Sequence, residues 1–219
     1  MIDYGLIIQS VPLMLQGALV TLEICAVALM IGFVAGVFLG TLNSPKVARK
    51  PIRLMIKAYV AIIRGTPLFV QVLIVYFGLP ELTHINLSPF AAGVLALSCN
   101  TSAYLAEIVR AGMVSVPYQQ WDAGFTLGYK KIHIITLLIL PQALRKIWPA
   151  ITNEFVTLIK ESSILMILGV SEITKISKDI VSRELKPMTI YVLTGCIYFA
   201  LTYTISKLAS KWEAKHEYS

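Results

Sequence analysis

Long stretches without a single charged side chain are the feature that most constrains this chain. Four of them stand out, covering residues 24–45, 65–80, 85–106 and 187–206. A helix of about 20 apolar residues crosses the roughly 30 Å hydrocarbon core of a bilayer. The composition agrees, with 57% hydrophobic and 14% charged residues, against about 45–50% and 25% in soluble domains. These values exclude soluble, disordered, collagen-like and disulfide-stapled chains and predict an integral membrane protein.

Extending each stretch to its flanking charges predicts membrane-spanning helices near 12–43, 57–79, 88–112 and 187–209. A fifth span is expected near 147–170, although Glu154, Lys160 and Glu161 interrupt it. Because charges are costly in hydrocarbon, that helix must face protein or water. We therefore predict an all-α membrane protein with five transmembrane helices in one transmembrane domain, residues 1–219.

The distribution of charge between the spans predicts the orientation of the helices. The segment 44–57 carries five basic residues and no acid, and 110–146 is basic as well. Lys and Arg collect in cytoplasmic loops, so both segments are expected inside and the C-terminus with them. The N-terminus and the loop at 80–87 lack this basic excess and are expected outside, as is the mixed-charge segment 171–186. The net charge of +7 is thus explained without a nucleic-acid partner.

The predicted cytoplasmic loop 113–146 contains the pattern of a short helix. Pro117 suits a first turn, and Trp121 and Phe125 follow at a spacing of four residues, before Gly128. The apolar run that comes next ends in Leu140-Pro141, which is expected to stop or kink a helix. An amphipathic helix lying on the membrane surface explains the same pattern.

Four short motifs lie along the chain. They are Arg64-Gly65-Thr66-Pro67-Leu68, Ala103-Tyr104-Leu105-Ala106-Glu107-Ile108, Asp122-Ala123-Gly124 with Gly128 and Leu138-x-Leu140-Pro141, and Asn153-Glu154-Phe155. In this order they resemble the motifs of binding-protein-dependent ABC importers of the polar amino acid permease branch. The third resembles the EAA loop of those importers, with Asp122 in place of Glu, Gly124 in place of the second Ala and Leu138 in place of Ile. The resemblance covers essentially the whole chain and implies the fold of a type I ABC importer transmembrane domain in the cell (inner or plasma) membrane of a prokaryote.

The resemblance implies a coupling helix that docks into a groove of a separate ATPase. Docking is assigned to Asp122, Ala123, Gly124 and Gly128, although Asp122 could be a local charge and Gly128 only a helix C-cap. The chain contains no GxxxxGK[ST] phosphate loop, so ATP and Mg²⁺ are expected on the partner and no cofactor or metal on this chain. The expected assembly holds two ATP-binding subunits, a second permease copy or paralogue and an extracellular amino-acid-binding protein, all within membrane lipid. The chain itself is expected to be a transport subunit and not an enzyme.

Polar residues inside the spans are the candidates for substrate binding. Ionisable groups at membrane depth are functional candidates by default, and Glu23, Glu154 and Arg64 meet that description. Asn100 and Tyr104 add an amide and a hydroxyl to the same path. For Glu23 and Glu154 the alternative is a structural ion pair with Arg64 or Lys160.

Two intramembrane carboxylates favour a cationic substrate such as arginine, lysine or histidine. Glutamine or another neutral polar amino acid is the alternative within the same family. A different class is a channel or proton-coupled carrier, in which the carboxylates would form a proton relay and the 117–141 segment would have no purpose. A membrane-embedded enzyme is disfavoured, since the three histidines form no HExxH motif and no nucleophile lies beside a base.

Overall fold

The computed structural model describes residues 3–216, and this part of the chain is almost entirely helical without a β-strand. It contains ten α-helices with two π-helical segments (Ile74–Gly78 and Ile134–Ile139) and one 3₁₀ segment (Ser162–Leu168) between them. The α-helices are α1 Tyr4–Asn43, α2 Lys50–Gly65, α3 Leu68–Leu73, α4 Leu79–Thr83, α5 Pro89–Ser115, α6 Tyr118–Thr126, α7 Lys131–His133, α8 Leu140–Glu161, α9 Ile173–Glu184 and α10 Pro187–His216.

Four helical rods in the described residues are long and apolar enough to cross a membrane: α1, α5, the continuous rod 131–168 and α10. The second predicted span, 57–79, is divided. Here α2 and the helical segment 68–83 meet at an angle of 105° and together have the length and composition of one span. Pro67 lies at the corner. Proline has no amide hydrogen, and it disfavours helical geometry in the residue before it, which here is Thr66.

The rod 131–168 is longer than the predicted span 147–170 and takes up the second half of the predicted loop. Leu140-Pro141 was expected to stop or kink a helix, and it does not stop this one, because the rod continues through Pro141. The π-helical segment Ile134–Ile139 directly precedes Leu140, and its wider turn accommodates the residue that cannot donate a hydrogen bond. The intervening cytoplasmic connection is therefore reduced to α6 and its flanking turns.

The packing of α1 against α5 forms the centre of the fold. Gly32, Gly36 and Gly40 lie on one buried face of α1. A Cβ atom on Gly36 would come within 2.5 Å of the Leu105 Cβ, and one on Gly40 within 2.5 Å of the Ala106 carbonyl oxygen. This small-residue face brings two backbones close together, as small-residue faces do in membranes.

On the predicted extracellular side, α9 packs against α1 and α10. The buried Glu172 caps α9, since its carboxylate accepts hydrogen bonds from the Thr174 amide (2.8 Å) and the Lys175 amide (2.7 Å). The Tyr198 hydroxyl of α10 donates to the same carboxylate at 2.8 Å. One buried side chain therefore caps α9 and ties it to α10.

Candidate functional site

The corner between α2 and α3 exposes backbone carbonyls that polar side chains satisfy. The Thr66 hydroxyl donates to the Ile62 carbonyl at 2.9 Å. Gln71 Nε2 donates to the Ile63 carbonyl at 2.7 Å and to the Thr66 carbonyl at 3.1 Å. A helix that ends inside a membrane protein needs such partners, because an unpaired carbonyl there costs several kcal/mol.

Gln71 joins this corner to the middle of α5. Its Oε1 accepts a hydrogen bond from Asn100 Nδ2 at 3.0 Å, and both side chains are buried. The predicted site residue Asn100 therefore lies beside the helix break. Gln71 itself was missed by sequence reasoning. A glutamine four residues after a proline within an apolar run is the signal that could have identified it.

Arg64 lies at the C-terminal end of α2, next to the same corner. Its guanidinium carbon is 5.0 Å from the centroid of the Tyr104 ring, within the range of a cation–π interaction. Tyr104 lies one helical turn beyond Asn100 on α5. The structure thus brings together Arg64, Tyr104 and Asn100, three of the five residues predicted to bind substrate.

Glu154 is the fourth predicted residue that belongs to this group. It is only 9% exposed on α8, and the charges of Glu161 and Arg64 act on it electrostatically. Among the residues that the structure describes, Glu154 forms no ion pair at contact distance. A buried carboxylate with a guanidinium nearby but not in contact leaves both groups available to a ligand.

Glu23 takes a different position, on the exposed side of α1. It lies two residues before Cys25, whose Sγ is 3.7 Å from the Leu158 carbonyl of α8. Glu23 is therefore close to the depth of Leu158, which is one helical turn from Glu154. It does not belong to the buried group around the helix break.

This arrangement has the chemistry to bind a polar zwitterion. It combines the Arg64 guanidinium with the amides of Gln71 and Asn100 at the interruption of a helix, and the buried Glu154 carboxylate on α8 interacts electrostatically with that guanidinium. Discontinuous transmembrane helices place their binding groups in this way, because the break frees polar groups near the middle of the membrane. Candidate metal clusters of three or more His, Cys, Asp or Glu residues do not occur in the described part of the chain.

A second functional surface is the helix α6 in the predicted cytoplasmic loop. Asp122 and Ala123 are exposed, as are several apolar side chains near them. Those side chains are Tyr118, Phe125, Leu127, Tyr129 and Ile132. An exposed apolar patch of this kind with a carboxylate in it has the properties of a protein-binding surface.

The two glycines assigned to docking also have structural positions. Gly124 is buried, and a Cβ atom there would lie 2.8 Å from Ile134 Cγ1, so it lets α6 pack against the π-helical segment. Gly128 has a φ of 76°, and the amides of Gly128 and Tyr129 donate to the Phe125 and Gly124 carbonyls at 3.0 and 3.1 Å. This is a Schellman C-cap. Of the docking candidates, Asp122, Ala123 and Gly128 are exposed and only Gly124 is buried.

Basic residues fix α6 to its surroundings. The Lys46 ammonium lies 3.8 Å from the centroid of the Tyr118 ring and 5.2 Å from that of Trp121. Lys131 Nζ donates to the Val47 carbonyl at 3.0 Å. Because Trp121 is itself buried, α6 is attached to the α1–α2 connection as well as to the rod 131–168. A force on α6 would therefore reach α2, which carries Arg64.

The chain combines membrane-length helices, one broken span, a buried polar site and an exposed helix in the predicted cytoplasmic loop. These features are typical of membrane transport subunits. The model of the family described as binding-protein-dependent transport system inner membrane component matches residues 29–212. The chain belongs to this family and is a multi-pass inner-membrane component of an amino acid ABC transporter.

Individual relatives cover nearly the whole chain. The arginine transport system permease protein ArtQ of Bacillus subtilis is 33% identical over 98% of this chain and 97% of its own length. A Rickettsia bellii protein assigned to glutamine transport as the permease protein GlnP is 35% identical over 91% of both chains. A crystal structure of an amino acid ABC transporter with histidines contains a chain that is 37% identical, with a TM-score of 0.88 over 98% of this chain and 99% of that one.

Proposed function

We propose that this permease carries a basic amino acid (arginine, lysine or histidine) across the membrane by alternating access. The observation that carries the proposal is the buried Glu154, which lies within electrostatic range of Arg64 and Glu161 beside the broken helix. A basic amino acid has two positive groups and one negative group. Carboxylates suit its ammonium and side chain, while Arg64 and the amides suit its carboxylate.

Glu23 completes the proposed site from the exposed side of α1. A second permease copy, identical or paralogous, would enclose a shared path, and Glu23 lies close to the depth of Leu158 where such a path would run. The two carboxylates that were predicted from the sequence then act at different places, Glu154 inside the bundle and Glu23 on its surface. The absence of ion pairs with Arg64 or Lys160 among the described residues supports binding over the structural alternative.

The energy for transport is proposed to come from two ATPase subunits that bind ATP and Mg²⁺. Asp122 and Ala123 on the exposed face of α6 are the proposed contacts, and the apolar side chains around them would enter a groove of the partner. An extracellular amino-acid-binding protein would deliver the substrate. The relatives' names support this assembly, since ArtQ is a permease of a transport system and not a carrier that works alone.

The test is uptake into proteoliposomes that contain the full complex with its ATPase and binding protein. Labelled arginine and labelled glutamine are compared with and without ATP, for wild type, Glu154→Gln and Glu23→Gln. We expect ATP-dependent arginine uptake by wild type and a loss of about tenfold or more in Glu154→Gln, because a buried charge partner of the substrate is removed. Glu81→Gln, a substitution in the predicted extracellular loop, is the matched control and should transport as wild type does.

Three outcomes would contradict parts of the proposal. Uptake of glutamine in place of arginine, unchanged in both variants, would show a neutral substrate and structural carboxylates. Uptake that follows a proton gradient without ATP would identify a proton-coupled carrier. Loss of ATPase assembly in Glu154→Gln would show a structural role for that residue, and ATP hydrolysis is therefore measured in the same vesicles.

A further inference from the structure

A cavity of about 400 Å³ opens between the last residue of α1, the helix α2 and the second half of α5. It lies toward the ends of α1 and α5 that lead into the basic, cytoplasmic segments. Its polar lining consists of Asn43, Lys57, Arg64, Glu107 and Arg110. Of these groups only Arg64 also belongs to the candidate substrate site.

The lining has an excess of positive charge. Arg110 is neutralised, because its guanidinium forms a two-point hydrogen-bonded ion pair with the Glu107 carboxylate. Lys57 and Arg64 interact with the same carboxylate only over a longer distance. Three basic side chains and one acid give the lining an excess of two positive charges, and the cavity is therefore suited to an anion.

Asn43 supplies a second and independent observation. It is only 1% exposed, yet neither its Nδ2 nor its Oδ1 has a hydrogen-bond partner among the residues that the structure describes. A buried amide without partners costs roughly 1–3 kcal/mol. Since Asn43 lines the cavity, an oxygen-bearing ligand there would satisfy its amide hydrogens.

We propose that this cavity binds the phosphate of an anionic phospholipid from the cytoplasmic leaflet. Basic recesses between transmembrane helices on the cytoplasmic side are where such headgroups bind. The neighbouring segment 44–57 has five basic residues and no acid, so anionic lipid is concentrated next to the opening. Exposed Met55 and Ile62 on α2 offer apolar surface to acyl chains near the headgroup.

The test is native mass spectrometry of the permease purified with its ATPase partner. Phosphatidylglycerol, phosphatidylethanolamine with the same acyl chains, and inorganic phosphate are added separately and in competition. Wild type should retain phosphatidylglycerol in preference to phosphatidylethanolamine. Lys57→Gln changes an exposed side chain and should weaken phosphatidylglycerol retention about fivefold, which is the effect of one basic residue near a membrane surface.

Lys50→Gln is the matched control, because it removes the same charge two turns earlier on the same helix and outside the cavity. It should leave retention unchanged. Asn43→Leu should reduce phosphatidylglycerol retention without changing that of phosphatidylethanolamine. Equal retention of the two lipids, an equal effect of Lys50→Gln, or no effect of Asn43→Leu would overturn the site. Displacement of the lipid by inorganic phosphate at the same concentration would show a soluble anion as the ligand and overturn the lipid assignment.

Discussion

At the scale of single residues, Gln71 stabilises the corner on which the candidate substrate site depends. It donates to two carbonyls at the end of α2 and accepts a hydrogen bond from Asn100. Gln71→Leu keeps the size of the side chain but leaves these groups unpaired. We expect a loss of about 1–3 kcal/mol in the free energy of unfolding, measured as a lower midpoint of thermal unfolding in detergent.

The control for this change is Gln9→Leu, which alters an exposed glutamine on α1. Its unfolding midpoint should match that of wild type. If both variants unfold as wild type does, the hydrogen bonds of Gln71 do not hold the corner, and the α2–α3 angle must be set by apolar packing alone.

Glu172 leads to a prediction about pH on the extracellular side. Burial raises the pKa of its carboxyl above the ordinary value of 4.5, although hydrogen bonds from Thr174, Tyr198 and Lys175 act in the opposite direction. A raised pKa means that the ionised carboxylate is less favourable in the folded protein than in the unfolded chain. Its contribution to stability is therefore present below pH 4.5 and is lost as pH rises through the folded-state pKa.

The measurement compares the unfolding midpoints of wild type and Glu172→Gln from pH 4.5 toward neutral. The wild-type midpoint should fall relative to that of the variant as pH rises. Glu184→Gln, at the exposed end of α9, should retain the wild-type pH profile. A constant difference between wild type and Glu172→Gln at every pH would exclude titration of Glu172 as the cause.

At the scale of helices, the stability of the bundle depends on the close approach of α1 to α5. A Cβ atom at position 40 would lie 2.5 Å from the Ala106 carbonyl oxygen, which belongs to the backbone and cannot move aside. Gly40→Ala should therefore destabilise the protein by about 1–3 kcal/mol, as overpacking does. Gly195→Ala on α10 meets nothing within 4 Å and should be neutral or slightly stabilising.

The measurement is the thermal unfolding midpoint of Gly40→Ala and of Gly195→Ala, each compared with wild type in the same detergent. A lower midpoint for both would reflect a general effect of the methyl group and not the α1–α5 contact. No change in Gly40→Ala would mean that the two helices can separate without cost, contrary to the packing described above.

The helices also show what the sequence could predict and why some features escaped it. Charge-free stretches depend on local pattern, and they predicted the membrane-spanning segments. That the glycine face of α1 packs against α5 depends on the tertiary fold. The second span was predicted as one continuous helix over 57–79, and its 105° corner was missed. Gln71 at that corner is hydrogen-bonded to Asn100, which is far away in sequence. Leu140-Pro141 was expected to stop or kink a helix, and the helix continues through it after the π-helical segment Ile134–Ile139.

For the predicted sites as well, local pattern identified the residues, while tertiary packing determines where they lie. Arg64, Asn100, Tyr104 and Glu154 were recognised as polar groups in apolar surroundings, and the fold brings them to one place. Glu23 is also a polar group in apolar surroundings, but it lies on the exposed face of α1. In α6, sequence matching could not separate outward-facing Asp122 from Gly124, whose burial depends on packing against Ile134.

At the scale of the whole molecule, α6 is the element through which an ATPase would act on the substrate site. It is attached to the α1–α2 connection through Lys46 and to the rod 131–168 through the buried Trp121, and Lys131 ties that rod to the same connection. The rod carries Glu154, and α2 carries Arg64. A displacement of α6 would therefore move both charged groups, each through its own helix, and change their separation.

A charge change on the exposed face of α6 is expected to weaken binding of the ATPase without unfolding the permease. Asp122→Arg reverses an exposed charge at the centre of the proposed docking surface without changing the buried side of α6. We expect the variant to fold with the wild-type unfolding midpoint but to retain at least about tenfold less ATPase on affinity purification, since like charges across an interface cost several kcal/mol. Asp179→Arg, on the predicted extracellular helix α9, should retain the ATPase fully. Equal retention by Asp122→Arg would mean that the ATPase docks elsewhere, and the exposed apolar patch around α6 would then need a different partner.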